Sequence, residues 1–99
     1  MFNATETAVQ NLRSYLEANN MQMGFRIKCR LGKNAKPGLS LGLGGPKEND
    51  LTFDIEGVRF IVNKTLLEKS GGITLDYIGS GPQIGYSLSP LNTANLCAH

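Results

Sequence analysis

Apolar side chains recur along this chain with two different periods, and one gives way to the other near residue 23. Ala8, Val9, Leu12, Tyr15 and Leu16 return every three or four positions, the spacing of a helix with one apolar stripe. Thr5 offers an N-cap oxygen, and Glu6 puts a negative charge in the first turn, where the helix dipole favours it. Asn19-Asn20 ends the pattern, so a helix is predicted over residues 6–18. From Met23 the period is two. Met23, Phe25, Ile27, Cys29 and Leu31 alternate with Gly24, Arg26, Lys28 and Arg30, which predicts a strand with one apolar and one basic face.

Further on, residues 32–38 read as a loop. Leu39, Leu41 and Leu43 alternate with Ser40 and Gly42, and Gly44-Gly45-Pro46 breaks that strand. Leu51–Ile55 and Val58–Val62 form a strand pair around a turn at Glu56-Gly57. Asn63 can cap a short helix over Leu66 and Leu67 that stops at Gly71-Gly72. Ile73, Leu75 and Tyr77 alternate, as do Ile84, Tyr86 and Leu88, with Gly79-Ser80-Gly81-Pro82 turning between them. The pattern predicts six or seven strands, one long helix and one short one. Strand–helix–strand alternation does not recur, so the expected class is α+β and β-rich, with antiparallel or mixed strands and the N-terminal helix packed on them. The expected organisation is one domain over residues 1–90. The segment 91–99 has no period and reads as a mobile tail.

Composition narrows the class. Ninety-nine residues make one domain, and 40% hydrophobic content with twelve glycines fits a small, turn-rich globular chain. No apolar run approaches the roughly 20 residues of a membrane span. No basic segment followed by an apolar stretch opens the chain, so no secretion signal is expected. Two cysteines do not make a disulfide framework, and a reducing, cytoplasmic setting is the expectation.

The net charge of +2 is unevenly spread. No acidic residue lies between Glu17 and Glu48, an interval that holds Arg26, Lys28, Arg30, Lys33, Lys36 and Lys47. Asp50, Asp54 and Glu56 follow. Arg26, Lys28, Arg30, Lys33 and Lys36 are therefore candidates to contact an anionic partner, set against a reading as one solvated strand face. Phosphate contact needs such charges. Single-strand binders also place stacking aromatics on the same face. Here Phe25 points to the other side, so nucleic acid is not the expected partner.

Catalysis finds little support. The single histidine, His99, stands in the tail, and an acid–base machine needs its base held by a rigid surround. Asp54 and Glu56 read as an exposed acidic strand end, without a pocket to separate their pKa values. The glycine clusters match no phosphate-binding loop. No catalytic residue is predicted. Cys29, on the apolar strand face, reads as a shielded small hydrophobe. Cys97 and His99 are metal-ligand types, and a dimer would pool two of each.

Several segments together resemble the A-type iron–sulfur carrier (HesB/IscA-like) family. The opening Thr5-Glu6-Thr7-Ala8-Val9 is similar to that family's capped helix, and Gly24-Phe25-Arg26-Ile27 to its first strand. Gly57-Val58 with Phe60-Ile61-Val62, then Leu75-Asp76-Tyr77, then Gly85-Tyr86 before Ser89-Pro90 follow the family's order at similar spacing. The resemblance implies a β-rich carrier fold, a homo-oligomer, and protein partners in iron–sulfur or sulfur metabolism. It also implies three cysteine ligands, one before a glycine in a loop and two in a Cys-Gly-Cys tail. Counting from Gly38 and Pro90, this chain has Lys36, Leu96 and Ala98 at those places, with Cys97 at the intervening glycine. The expected function is thus a non-catalytic, partner-binding or regulatory protein in or beside iron–sulfur cluster assembly, with no cluster as cofactor. The alternatives are an iron or iron–sulfur carrier with an altered dimeric site of Cys97 and His99, and, more weakly, an anion- or nucleic-acid-binding module.

Overall fold

The computed structural model describes residues 2–20, 22–31, 37–79 and 85–92, with Arg30, Leu31 and Pro37 described as backbone. In chain order these form β1 (Phe2–Ala4), α1 (Glu6–Ala18), β2 (Gly24–Leu31), β3 (Pro37–Gly44), β4 (Asp50–Ile55), β5 (Val58–Asn63), α2 (Lys64–Ser70), β6 (Ile73–Ile78) and β7 (Gly85–Pro90). They build the α+β, β-rich, mixed-sheet architecture that the two periods predict.

The strands make two sheets. One has the order β3-β2-β5-β4 and the other β1-β6-β7. β2 lies antiparallel to β3 and parallel to β5, so both neighbours read its alternation. Phe25 stands beside Phe60, and Ile27 beside Val62, while Phe25 also faces Leu43 and Ile27 faces Leu41. Phe25, Ile27, Phe60 and Val62 are buried with Val9, Leu12, Leu16, Ile73 and Leu75 in one core. α1 supplies its predicted stripe, and its N-cap is Thr5, whose hydroxyl accepts from the Ala8 N–H at 3.3 Å. α2 is capped as the sequence indicates: Asn63 Oδ1 accepts from the Thr65 and Leu66 N–H groups, and Gly71 closes the helix at φ 71°. A left-handed residue there needs no Cβ penalty to be overcome when it is glycine.

Three differences from the sequence reading have local causes. β1 is an extra strand, running parallel to β6 with Phe2 beside Ile73. Three residues cannot show a period, and its existence is set by a partner far along the chain. β3 begins at Pro37, inside the segment read as loop, because its ladder with β2 extends to the Leu31–Pro37 pair. Leu91 and Asn92, read as the start of the tail, donate their N–H groups to Gly72 O and Ser70 O at 3.0 and 2.8 Å. Ser80, Gly81 and Pro82 of the predicted turn, Ile84 of the strand predicted after it, and the rest of the tail, 93–99, lie outside the described residues. Among the described residues, no helix is long and apolar enough to cross a membrane.

Candidate functional site

The basic face of β2 was the main site candidate, and its cations have different surroundings. Arg26 and Lys28 both turn away from the core, as the period of two requires. Arg26 stands beside Ile61 of β5 in the register. Its guanidinium reaches Asp50, the first residue of β4, with Nη1 to Oδ2 at 2.6 Å and Nη2 to Oδ1 at 3.1 Å. Nη1 also donates to Gly45 O at 3.3 Å. The Asp50 side chain has 0% exposure and that of Arg26 15%. The Lys47 N–H gives Asp50 Oδ2 a further bond of 2.6 Å. Burial alone would push the Asp50 carboxyl up. The Arg26 fork and the Lys47 N–H outweigh it and hold the group below its ordinary value.

This fork–fork pair joins β2 to β4 across the intervening strand and fixes the turn at 47–50. Arg26, one of the candidate anion contacts, is thus engaged by a carboxylate of its own chain. The two-residue period could not reveal this, because Asp50 lies two strands away in the sheet. Lys28 is exposed and, among the described residues, makes no ion pair. It stands opposite Ser40 of β3. Its Cε and Nζ lie 3.8 Å from where a Cβ on Gly42 would sit. Arg30 continues the row by register, opposite Gly38. The candidates Lys33, Lys36, Cys97 and His99 lie outside the described residues.

Cys29 departs from its reading as a shielded free thiol. It is half-buried, packed at the rim of the core opposite Leu39, and it is disulfide-bonded. The apolar face of β2 is fully covered at Phe25 and Ile27 but opens by Cys29. Alternation gives the face of a residue and not how deep that face is covered.

An open groove of about 700 Å³ runs between the end of α1 and the β4–β5 turn. Arg13, Glu17, Asp54 and Arg59 line it with Met23 and Gly24. Its charges balance, and Arg59 and Asp54 already pair at 3.1 Å with both side chains more than half exposed. Tyr86 lies against Tyr77, with ring centroids 5.0 Å apart, and burial, then repulsion from Tyr77, push its phenol up. Neither place holds a histidine or a cysteine among the described residues. Among the described residues, no group of three His, Cys, Asp or Glu could hold a metal ion.

Solved structures with the same layout decide the fold. Escherichia coli SufA, a protein involved in the biosynthesis of iron–sulfur clusters, superposes with a TM-score of 0.72 at 21% identity. The match covers 90% of this chain and 84% of that one. IscA with its [2Fe–2S] cluster gives 0.73 at 23% identity over 93% and 86% of the two chains. The fold is that of the A-type iron–sulfur carriers. A protein of Aquifex aeolicus shares it, with a TM-score of 0.66 at 22% identity over 88% of each chain. At such identities the likeness establishes the A-type fold alone. No protein-family model matches the chain. An uncharacterised protein of Bradyrhizobium diazoefficiens is 24% identical over 100 residues, covering 99% of this chain and 94% of that protein.

Proposed function

We propose that this protein is a non-catalytic, partner-binding component of iron–sulfur cluster assembly that keeps the A-type fold and carries no cluster of its own. The observation that supports this most is the donor set. Iron–sulfur clusters are held by cysteine thiolates, usually four, with histidine as the known substitute. This chain has two cysteines and one histidine. One of the cysteines, Cys29, sits on a strand face with its sulfur in a disulfide. By the family resemblance, counting from Gly38 and Pro90, Lys36, Leu96 and Ala98 fall at the ligand places. A protonated lysine and two aliphatic side chains offer no ligand.

The fold supports the pathway, because SufA is described as involved in iron–sulfur cluster biosynthesis and IscA is seen with a [2Fe–2S] cluster. With the thiolates reduced in number, what remains is surface: an exposed lysine on a strand row and an uncharged sheet edge beside it. A protein of this kind acts by contact, as a homo-oligomer or with other proteins of cluster assembly.

Anaerobic reconstitution with ferrous iron and sulfide, followed by visible absorption and iron analysis, tests the proposal. The expected result is no stoichiometric cluster after desalting. A stoichiometric cluster that disappears in Cys97→Ser or in a variant lacking His99 would overturn it, in favour of a carrier with a shared dimeric site.

A further inference from the structure

The four-stranded sheet has two edges of opposite character. β4 carries the exposed Asp54, and a charge on an edge strand discourages pairing with another chain. β3 reads Pro-Gly-Leu-Ser-Leu-Gly-Leu-Gly across eight residues without a charge. Among the described residues it ladders with β2 only. β7 comes near it without joining its ladder. The inward residues Leu39 and Leu41 pack on the core. The outward positions, Gly38, Ser40, Gly42 and Gly44, are all small.

Those small residues lie directly beside the basic row of β2. The register sets Arg26 opposite Gly42, Lys28 opposite Ser40 and Arg30 opposite Gly38. Arg26 is held by Asp50, but the Lys28 ammonium extends over Gly42 towards the open edge. A strand added to β3 would meet the edge at Leu39–Leu43. On its outward face it would meet the Lys28 ammonium across a shelf of glycine and serine. The uncharged edges of the other sheet, β1 and β7, lack this row: the strand beside both, β6, carries Asp76.

We infer that β3 takes an added strand from a partner, an extended acidic segment with carboxylates at alternate positions on its outward face. Main-chain pairing supplies the affinity in such a contact, and the side chains at every second position supply the selection. The carboxylates meet Lys28 over Gly42, while the intervening apolar residues continue the row of Leu39, Leu41 and Leu43. This deepens the partner-binding reading and rests on it for the existence of a partner. Cluster reconstitution reads that proposal independently of the edge.

The test uses the full chain and a fluorescent eight-residue peptide of alternating valine and glutamate. Controls are the valine–lysine counterpart and an acidic peptide with proline at alternate positions, which cannot ladder. The wild-type chain should bind the acidic peptide, and amide shifts in its NMR spectrum should centre on residues 39–43. Lys28→Glu should weaken that binding about tenfold and favour the basic peptide, since like charges across an interface repel. Gly42→Glu should do the same with an unchanged circular dichroism spectrum, because the nearest atom to its Cβ is 3.8 Å away. Equal binding of acidic and basic peptides, equal binding of the proline peptide, or shifts centred on the Arg13–Arg59 groove would each overturn the inference. So would a dimer that Gly42→Glu dissociates and the acidic peptide does not, which would assign the edge to a second copy of this chain.

Discussion

β2 has two neighbours, and they treat it differently. β5 contributes Val58, Phe60, Ile61 and Val62, all at 0% exposure, while on β3 Leu39 and Leu41 are half-buried and Leu43 is 37% exposed. On the β5 side, large side chains from two sheets and α1 interlock, and even the outward Ile61 is buried. On the β3 side, glycines alternate with leucines and main-chain pairing with β2 does most of the holding. One strand is thus the seam between a close-packed interior and a margin suited to contact.

Substitutions on the two sides sharpen this contrast. Phe60→Ala, at the centre, should cost about 3–5 kcal/mol in urea unfolding, the range for emptying a large buried site. A loss of about 1 kcal/mol or less would mean that β5 is not the core strand. Asp50→Asn should cost roughly 2–3 kcal/mol at neutral pH, the scale of hydrogen bonds to charged groups. The pH sign follows from the lowered pKa of Asp50. A carboxyl depressed in the folded state stabilises above its unfolded pKa and loses that contribution as pH falls through the folded value. The gap between wild type and Asp50→Asn should hold from neutral pH to about pH 4 and shrink below it. A gap that stays constant in acid would separate the stability effect from the Arg26 pair.

Two glycines on the same pair of strands give the finest comparison. A Cβ on Gly24 would lie 2.8 Å from Ile61 Cδ1 and 3.3 Å from Gly44 O, so Gly24→Ala should cost about 1–3 kcal/mol by overpacking. A Cβ on Gly42 meets nothing closer than 3.8 Å. Gly42→Ala should be neutral or stabilise by up to about 1 kcal/mol, because glycine in a strand interior carries an entropic penalty. If thermal melts rank these two the other way, the seam is misplaced.

Much of the fold was legible in the sequence because periodicity reports which side of an element is covered. α1, the faces of β2, the cap at Asn63 and the turn at Glu56-Gly57 follow from spacing and turn chemistry. Glu56 and Gly57 adopt φ of 48° and 86°, as a two-residue hairpin turn demands. What pattern could not show was partnership at a distance. Arg26 and Lys28 look equivalent in the alternation, and only the path of β4 tells that Asp50 claims the first. Cys29 shares the face of Phe25 and Ile27, but the depth of cover over that face is a property of the assembled sheets. Phe2-Asn3-Ala4 becomes a strand because β6 is there to receive it.

That last strand bears on how the molecule is made. The Thr5 N–H bonds Leu75 O at 2.9 Å, and the Thr5 hydroxyl bonds Asp76, 71 positions further along. Phe2 is buried against Phe53 and Phe60, with ring centroids at 5.6 and 5.0 Å. During synthesis β1 must therefore wait for β6 to leave the ribosome before it can be seated. Until then the apolar stripe of α1 stays uncovered on the β6 side, a window in which a chaperone can bind the nascent chain. Contacts of such long range also slow folding relative to a helical domain of equal size.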